Sequence, residues 1–284
     1  MLSYIVVEQP IRRGALKHRG MWFAIPASAI VVSIAIIGAT VGAESVVDSN
    51  TVAVQADTYT GSKAPRVIRI LVVGDSVASS LAGGIAQVGE ELTVAVANAA
   101  RIGCNPLKWV GPVRDPSTRE TFDVPCPDDW AARARTLAPK LVIIMFGRPP
   151  VNEVEVKGRW LRACDAPVDK AYRSALQARV SALRAAGPRV VIVTVPRPAT
   201  RLWGPDADQR VSCVNRVGES VAAAVPGTTA VDINKLLCPD PGRRCLSSIG
   251  GTPVREDGLH FRGADAPLVA RWLVPRALEA LGTG

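Results

Sequence analysis

From residue 66 onwards, short apolar runs alternate with longer amphipathic stretches, and this alternation restricts the fold more than any other feature. The runs predicted as strands are 68–73, 92–97, 141–146, 190–195 and 229–231. The stretches predicted as helices are 77–87, 128–137, 168–186, 207–224 and 264–281. Strands that alternate with helices indicate a parallel sheet covered by helices on both faces. The pattern therefore predicts a three-layer α/β/α domain with a mainly parallel five-stranded sheet.

Three connections between these elements are long for a compact domain. They span residues 98–127, 147–166 and 232–262. Long connections lie at the surface and often carry the residues that bind or react with a substrate. We therefore expect these three segments to shape any substrate pocket.

An uncharged apolar run precedes the domain. Residues 21–43 contain no charged side chain in 23 positions, which as a helix would span about 35 Å, enough for a bilayer core of about 30 Å. Basic residues precede the run and acidic residues follow it, so the positive-inside rule predicts a cytoplasmic N-terminus and an extracytoplasmic domain. The predicted layout is a tail at 1–20, one transmembrane helix at 21–43, a linker at 44–65 and a domain at 66–284. A cleaved secretory signal or a buried core helix is the alternative.

All six cysteines follow the apolar run, in the compartment where disulfides form. Six cysteines allow many pairings, and sequence alone does not choose among them. A Cys238–Cys245 bridge would close a short loop, and Cys104–Cys126 with Cys164–Cys213 is the simplest completion. A metal site is the rival interpretation, but the chain has no CxxC motif and two histidines. We predict neither a metal nor a diffusible cofactor.

The formal net charge is +9, which raises the question of a nucleic-acid partner. The basic residues of the domain are scattered, without a Lys/Arg-rich run and with few aromatic residues between them. This distribution argues against nucleic-acid binding.

The turn after the first predicted strand reads Gly74-Asp75-Ser76, and it places a serine at the start of a helix. Backbone N–H groups at a helix start can stabilise negative charge, but a serine nucleophile also needs a base. His18 lies on the far side of the predicted membrane segment, so His260 is the histidine that could serve. Asp257 precedes it by three residues and can orient its ring. Taken singly, the serine could be a helix cap and the histidine a surface residue.

The order Ser…Asp-x-x-His resembles the SGNH/GDSL hydrolase family, with Gly74-Asp75-Ser76 as its first block and Asp257-Gly258-Leu259-His260 as its fifth. The resemblance implies that Ser76 is the nucleophile and that Asp257 and His260 complete a catalytic triad. "NAARIG" matches the second block with Asn98 and Gly103. It implies that the N–H groups of Gly103 and Ser76 form an oxyanion hole. A simple turn before Cys104 is the alternative interpretation of Gly103.

The third block departs from the family pattern. Members of the family have Gly-x-Asn-Asp after the third long strand, whereas this chain reads "IIMFGRPPVNE" and has Pro149 at the Asn position. Proline offers no hydrogen-bond donor. Arg148 or Asn152 could bind substrate or replace that donor, or the hole could have two donors. A solvated charge or an ion pair is the alternative for Arg148.

The closer resemblance is to the extracytoplasmic SGNH domains fused behind type 3 membrane acyltransferases. It lies in "GDSVA", the Gly-Cys after the second block, the Gly-Arg after the third strand with a later "GRW" at 158–160, "LLCP" at 236–239 and "DGLHF…WLVP". Residues 2–13, "LSYIVVEQPIRR", resemble the end of such an acyltransferase core. The resemblance implies a membrane-anchored O-acyltransferase, acting on an envelope glycan with an acyl group delivered by a membrane core. A carbohydrate esterase and a non-catalytic glycan-binding module are the alternatives.

Overall fold

The computed structural model describes residues 58–116, 118–122, 124–198, 206–240 and 244–282. Internal contacts divide the chain into Met1–Ser49 and Asn50–Gly284, and every described residue belongs to the second unit. The predicted tail at 1–20 and the predicted transmembrane helix at 21–43 lie outside the described residues. Within the described ranges, no helix has both the length and the apolar character needed to cross a bilayer.

The main sheet has six strands. They are β1 (Thr60–Gly61), β2 (Ile68–Gly74), β3 (Val94–Asn98), β6 (Leu141–Met145), β9 (Arg189–Val193) and β10 (Thr228–Val231), in the spatial order β1-β3-β2-β6-β9-β10. The five strands from β3 to β10 are parallel, as the alternation pattern predicts. The predicted number of five is wrong, because β1 adds an antiparallel edge strand beside β3. This two-residue strand lies inside the segment that we predicted as linker.

Seven helices occur in the described part of the chain: α1 (Ser76–Gln87), α2 (Gly89–Leu92), α3 (Trp130–Leu137), α4 (Ala166–Ala185), α5 (Ala207–Ala224), α6 (Asn234–Leu237) and α7 (Asp265–Gly282). Alternate residues of β2 point to opposite faces of the sheet. Ile70 and Val72 join the core that includes α1 and α7, whereas Leu71 and Val73 join the core that includes α3, α4 and α5. The domain therefore has the three layers expected from the sequence.

The long connections fold into further β-structure. Residues between β3 and α4 form a four-stranded antiparallel sheet, β5-β4-β7-β8, from β4 (Val113–Arg114), β5 (Thr121–Phe122), β7 (Glu153–Val156) and β8 (Arg159–Arg162). A two-stranded ribbon, β11 (Ser248–Ile249) and β12 (Thr252–Pro253), precedes the Asp257–His260 segment. The alternation pattern does not predict these strands, because two to four residues are too few for a periodic signal.

Three disulfides join Cys104 to Cys126, Cys164 to Cys213 and Cys238 to Cys245. These are the pairs favoured from the sequence: one closes a short loop, and the other two are the simplest pairing of the remaining four cysteines. The first lies within the connection from β3 to α3. The second joins the segment before α4 to α5, and the third closes a short loop after α6. All six cysteines of the chain are therefore bonded.

Candidate active site

The turn from β2 to α1 presents Ser76. Gly74 has a φ of +139°, and a Cβ atom there would lie 1.8 Å from the carbonyl oxygen of Met145, so this position requires glycine. Asp75 is the N-cap of α1, and its carboxylate accepts the N–H of Val77 at 2.9 Å. Ser76 is the first residue of the helix. Its N–H therefore has no acceptor within α1 and is available to a ligand.

His260 and Asp257 approach Ser76 from the segment between β12 and α7. The distance from His260 Nε2 to Ser76 Oγ is 2.8 Å, although 184 residues separate them. The distance from His260 Nδ1 to Asp257 Oδ2 is 2.7 Å. The three side chains that we predicted from the sequence thus form one chain of hydrogen bonds. If Nδ1 keeps its proton and donates a hydrogen bond to Asp257, Nε2 is free to take the proton of Ser76.

The carboxylate of Asp257 is held in place by its own turn. Its Oδ1 atom accepts the N–H groups of Leu259 at 2.9 Å and His260 at 2.8 Å. Arg262 Nη2 lies 3.2 Å from the other oxygen. Partial burial acts to raise the pKa of Asp257, but the hydrogen bonds from His260 and Leu259 outweigh it and hold the pKa below the usual value. Asp257 therefore remains an anion beside the imidazole ring.

Asp75 is a site residue that the sequence reasoning treated only as part of a motif. Its side chain is fully buried, and its second oxygen accepts the N–H of Gly147 at 2.8 Å. Burial raises the pKa of Asp75 to about 6, against the lowering effect of the hydrogen bonds from Gly147 and Val77. The carboxylate thus connects the serine turn to the residue just after β6. The sequence feature that could have identified Asp75 is its position immediately before Ser76.

Gly147 is a second site residue that the sequence identified only as part of a motif, as the glycine of the third block. A Cβ atom at this position would lie 2.4 Å from Cγ2 of Val77 and 2.9 Å from Cδ1 of Leu259. Val77 follows the serine and Leu259 precedes the histidine. A glycine is therefore needed for the chain after β6 to pass between the two segments that carry Ser76 and His260.

Gly103, the second predicted oxyanion donor, lies on an exposed part of the connection after β3. Its φ is +74°, and apart from its two chain neighbours no atom of the described residues lies within 4 Å of the place where a Cβ would be. Nearby residues on both sides of it contact the same carbonyl of the serine turn. Arg101 N–H donates to the oxygen of Gly74 at 2.9 Å, and Cys104 Sγ lies 3.3 Å from that oxygen. The connection therefore holds Gly103 close to the turn that presents Ser76.

The third-block candidates, Arg148 and Asn152, have other contacts. Arg148 forms an ion pair with Asp115, a buried carboxylate that follows β4. Pro149 begins a 3₁₀ turn, Pro149–Val151, that leads to Asn152. Asn152 is buried, and its Oδ1 atom has no hydrogen-bond partner in the described part of the chain. Neither Arg148 nor Asn152 hydrogen-bonds to a described atom of Ser76 or His260.

A family match agrees with this geometry and covers nearly the whole domain. The family model described as "SGNH domain (fused to AT3 domains)" matches residues 45–273. The chain belongs to this family. No curated protein sequence matches the chain.

Solved structures share the fold of this SGNH domain. A Bacteroides fragilis protein described as an acylhydrolase aligns with a TM-score of 0.52 at 15% identity, over 78% of this chain and 91% of its own. A carbohydrate esterase family 2 enzyme with a carbohydrate-binding domain, from Corynascus thermopiles, gives 0.50 at 15% identity, over 78% and 68%. A protein assigned to the G-D-S-L lipolytic family, from Desulfitobacterium hafniense, gives 0.50 at 12% identity, over 74% and 99%. The SGNH domain is of the enzyme class that hydrolyses or transfers esters.

The buried Arg255, which the sequence did not identify, holds the segment of the SGNH domain that leads to Asp257 and His260. The N–H of Arg255 donates to Asp265 Oδ2 at 2.8 Å, and Arg255 Nη1 donates to the carbonyl of Arg197 at 2.8 Å. Burial lowers the pKa of Arg255 to about 10, against the opposing effect of Asp265 and Asp257. The segment leading to Asp257 is therefore fixed to the start of α7 and to the residues after β9.

The described residues contain no group of three or more His, Cys, Asp and Glu side chains that could hold a metal ion. What the site offers is a hydroxyl, an imidazole and a carboxylate in series beside backbone N–H groups. This arrangement can perform nucleophilic acyl chemistry.

Proposed function

We propose that this SGNH domain is the catalytic part of a membrane-anchored serine O-acyltransferase that acylates a cell-envelope glycan. The observation that carries the proposal is the series of hydrogen bonds from Ser76 through His260 to Asp257, at 2.8 and 2.7 Å. Such a series allows a serine hydroxyl, which is a weak nucleophile on its own, to attack an ester carbonyl.

In the first half-reaction, Ser76 Oγ attacks the carbonyl carbon of the acyl donor while its proton passes to His260 Nε2. The imidazolium that forms is stabilised by Asp257, whose pKa stays low. When the tetrahedral intermediate collapses, the bond to the leaving atom breaks and His260 returns the proton to that atom. The product is an acyl ester of Ser76 together with the free alcohol or thiol of the donor.

The oxyanion of the tetrahedral intermediate needs hydrogen-bond donors that are already in position. In this proposal the N–H groups of Ser76 and Gly103 provide them. The pairing of Arg148 with Asp115 and the burial of Asn152 favour a hole with two donors rather than three. One missing donor costs on the order of 10²–10³ in rate, so we expect slow turnover on unactivated esters.

In the second half-reaction, a hydroxyl group of the glycan replaces the donor alcohol. His260 removes the hydroxyl proton, the sugar oxygen attacks the acyl carbon, and Ser76 leaves with the proton returned by His260. Water attacking in place of the sugar would make the same site an esterase. The fold shared with a carbohydrate esterase is consistent with either acceptor.

The donor side of the proposal comes from the family, whose members are SGNH domains fused to AT3 domains. We propose that a membrane acyltransferase core supplies the acyl group, either in the same polypeptide or in a separate one. In this proposal, residues 1–20 are a cytoplasmic tail, 21–43 form the single transmembrane helix, and the part of the predicted linker that precedes β1 connects it to the domain. The domain then lies outside the cytoplasm, where its three disulfides are stable.

The test for the nucleophile is labelling of the full chain with a fluorophosphonate, which reacts with activated serines. We expect the wild type to be labelled, Ser76→Ala to remain unlabelled, and Ser174→Ala, a control on α4, to be labelled normally. Absence of labelling in the wild type, or equal labelling of Ser76→Ala, would favour a non-catalytic glycan-binding module instead.

The test for transfer follows the acyl group. The wild-type chain is supplied with a radioactive acyl ester and with the envelope glycan from which native esters have been removed by alkali. We expect the radioactivity to appear in the glycan through a Ser76-bound intermediate. If free acid is the sole product with the glycan at saturation, the enzyme is an esterase and the transferase proposal fails.

A further inference from the structure

A cavity lies beside the connection that carries Gly103. Its volume is about 520 Å³, within the range typical of small-molecule sites. Its lining residues come from the end of β3 and the following segment on one wall, and from the start of α3 on the other: Asn98, Ala99, Ala100, Arg101, Ile102, Pro127, Asp129 and Arg133. The cavity thus opens at the carboxyl edge of the parallel sheet, where ligands bind in folds of this kind.

The first wall is fixed to the serine turn. Arg101 N–H donates to the carbonyl of Gly74 at 2.9 Å, and Asn98 Nδ2 donates to Ser79 Oγ of α1 at 3.0 Å. Asn98 Oδ1 in turn accepts the N–H of Ala100 at 3.0 Å. This side of the cavity is therefore held at a constant position relative to Ser76, which an acceptor site requires.

The chemistry of the lining is mixed. Ile102 is 74% exposed, an unusual state for a large apolar side chain, and it precedes Gly103. The opposite wall carries Asp129 and Arg133, whose Oδ2 and Nε atoms are 2.9 Å apart. The cavity therefore offers one apolar surface, hydrogen-bond donors and a hydrogen-bond acceptor.

This combination fits a sugar ring better than other ligands. A sugar has an apolar face of C–H groups and a rim of hydroxyls that both donate and accept hydrogen bonds, so it can cover Ile102 while bonding to Asp129 and Arg133. A long acyl chain would cover the three charged groups of the lining without offering them hydrogen bonds. Nucleic acid would need more positive charge than Arg101 and Arg133 supply.

From these observations we infer that the cavity between Ile102 and Arg133 is the subsite for the acceptor sugar. The inference rests on the proposed function, because it assigns the acceptor position of the same site. A sugar bound there lies against the connection that holds Gly103. Its binding displaces water from the exposed face of Ile102.

The test is calorimetric measurement of glycan binding to a chain that cannot turn over. The full chain carries Ser76→Ala and is titrated in detergent with alkali-treated envelope oligosaccharides of the producing organism. We expect Ile102→Ser and Arg133→Ala, each added to that background, to weaken binding by about tenfold. Arg271→Ala, which removes a surface ion pair with Glu91 on another helix, should bind like the parent.

Two results would overturn the inference: parent-like affinity in both cavity variants, or no binding by the parent at saturating oligosaccharide. Ile102 is so exposed that its replacement by serine leaves the fold intact, so a loss of binding in that variant is not a folding defect.

The outcome for the proposed function is separate. If the cavity variants lose binding but the wild type makes no acylated glycan, the subsite stands and the transferase does not. If transfer occurs and the cavity variants bind normally, the transferase proposal stands and the subsite inference fails.

Discussion

The carboxylate of Asp75 accepts a hydrogen bond from the N–H of Gly147 at 2.8 Å, across 72 residues of sequence. Its other oxygen caps α1, the helix that begins with Ser76. One buried side chain therefore ties the serine turn to the end of the neighbouring strand β6. The positions of the serine and of the third-block segment depend on the same carboxylate.

Replacing Asp75 tests this role through the pH dependence of stability. The pKa of Asp75 is about 6 in the folded domain and 3.8 in a model peptide, so ionisation is less favourable in the folded state. A carboxyl group with a raised folded pKa stabilises the fold most below its unfolded pKa, and this contribution is lost as pH rises through the folded value. Between about pH 4 and pH 7, we expect the wild type to lose about 2 kcal/mol of stability relative to Asp75→Asn.

The measurement is urea unfolding of both full chains across that pH range, followed by tryptophan fluorescence. The asparagine variant removes the titration and also exchanges an acceptor for a donor, which lowers stability by an amount that does not depend on pH. A stability difference that stays constant, or that grows in favour of the wild type as pH rises, contradicts the prediction.

Gly147→Ala is expected to impair catalysis. The added Cβ would meet Val77 and Leu259 at 2.4 and 2.9 Å, so the segments that carry Ser76 and His260 must separate. A displacement of this kind slows the reaction on the order of 10²-fold. Gly218→Ala, inside α5, is the matched control, since among the described residues outside its own helix backbone its Cβ would meet only Cγ2 of Ile192, at 3.3 Å. Steady-state kinetics with a soluble acetate ester measure both variants, and equal turnover rates would show that the site absorbs the methyl group.

The ion pair between Arg148 and Asp115 is expected to support the fold rather than the reaction. The Asp115 side chain is 4% exposed and that of Arg148 is 31% exposed, so Arg148→Ala removes a positive charge from beside a buried carboxylate. We expect a loss of about 2 kcal/mol in the free energy of unfolding, measured by urea titration. Because Asp115→Asn removes the charge that Arg148 pairs with, the double variant should lose less than the sum of the single ones. If Arg148→Ala instead slows turnover by a factor on the order of 10² or more, Arg148 is an oxyanion donor.

Local sequence signals predicted most of the core and the members of the candidate site. The helix 207–224 was predicted with the bounds that the structure has, and the strand before Gly74 was predicted to within one residue. Periodic burial and glycine turns are properties of neighbouring residues, so they are visible in the sequence. His260 could be singled out because the chain has two histidines.

The contacts that the sequence did not predict join distant parts of the chain. The Asp75–Gly147 hydrogen bond exists because β2 and β6 are adjacent in the sheet, and no local pattern encodes that adjacency. The pairing of Arg148 with Asp115 likewise depends on the pairing of β4 with β7. Strands of two to four residues are stabilised by their partners rather than by their own composition, so long connections looked like loops.

The disulfide between Cys104 and Cys126 is expected to matter for catalysis as well as for stability. No described residue beyond its chain neighbours packs where a side chain of Gly103 would be, whereas Cys104 next to it is fully buried and bonded to Cys126. Replacing both cysteines by alanine releases one end of the segment that carries the proposed oxyanion donor. Because a lost donor costs on the order of 10²–10³ in rate, we expect turnover to slow by up to about 10²-fold.

The Cys164–Cys213 disulfide provides the matched control for this last prediction. It closes a loop of 49 residues rather than 22, so its removal should cost more stability, about 4 against about 3 kcal/mol. It joins α5 to the segment before α4 rather than to the serine turn. We therefore expect the Cys164→Ala/Cys213→Ala variant to be the less stable protein and the more active one, when turnover is measured at a temperature where both variants are folded. A loss of turnover that follows the loss of stability in both variants would assign the Cys104–Cys126 bridge a purely structural role.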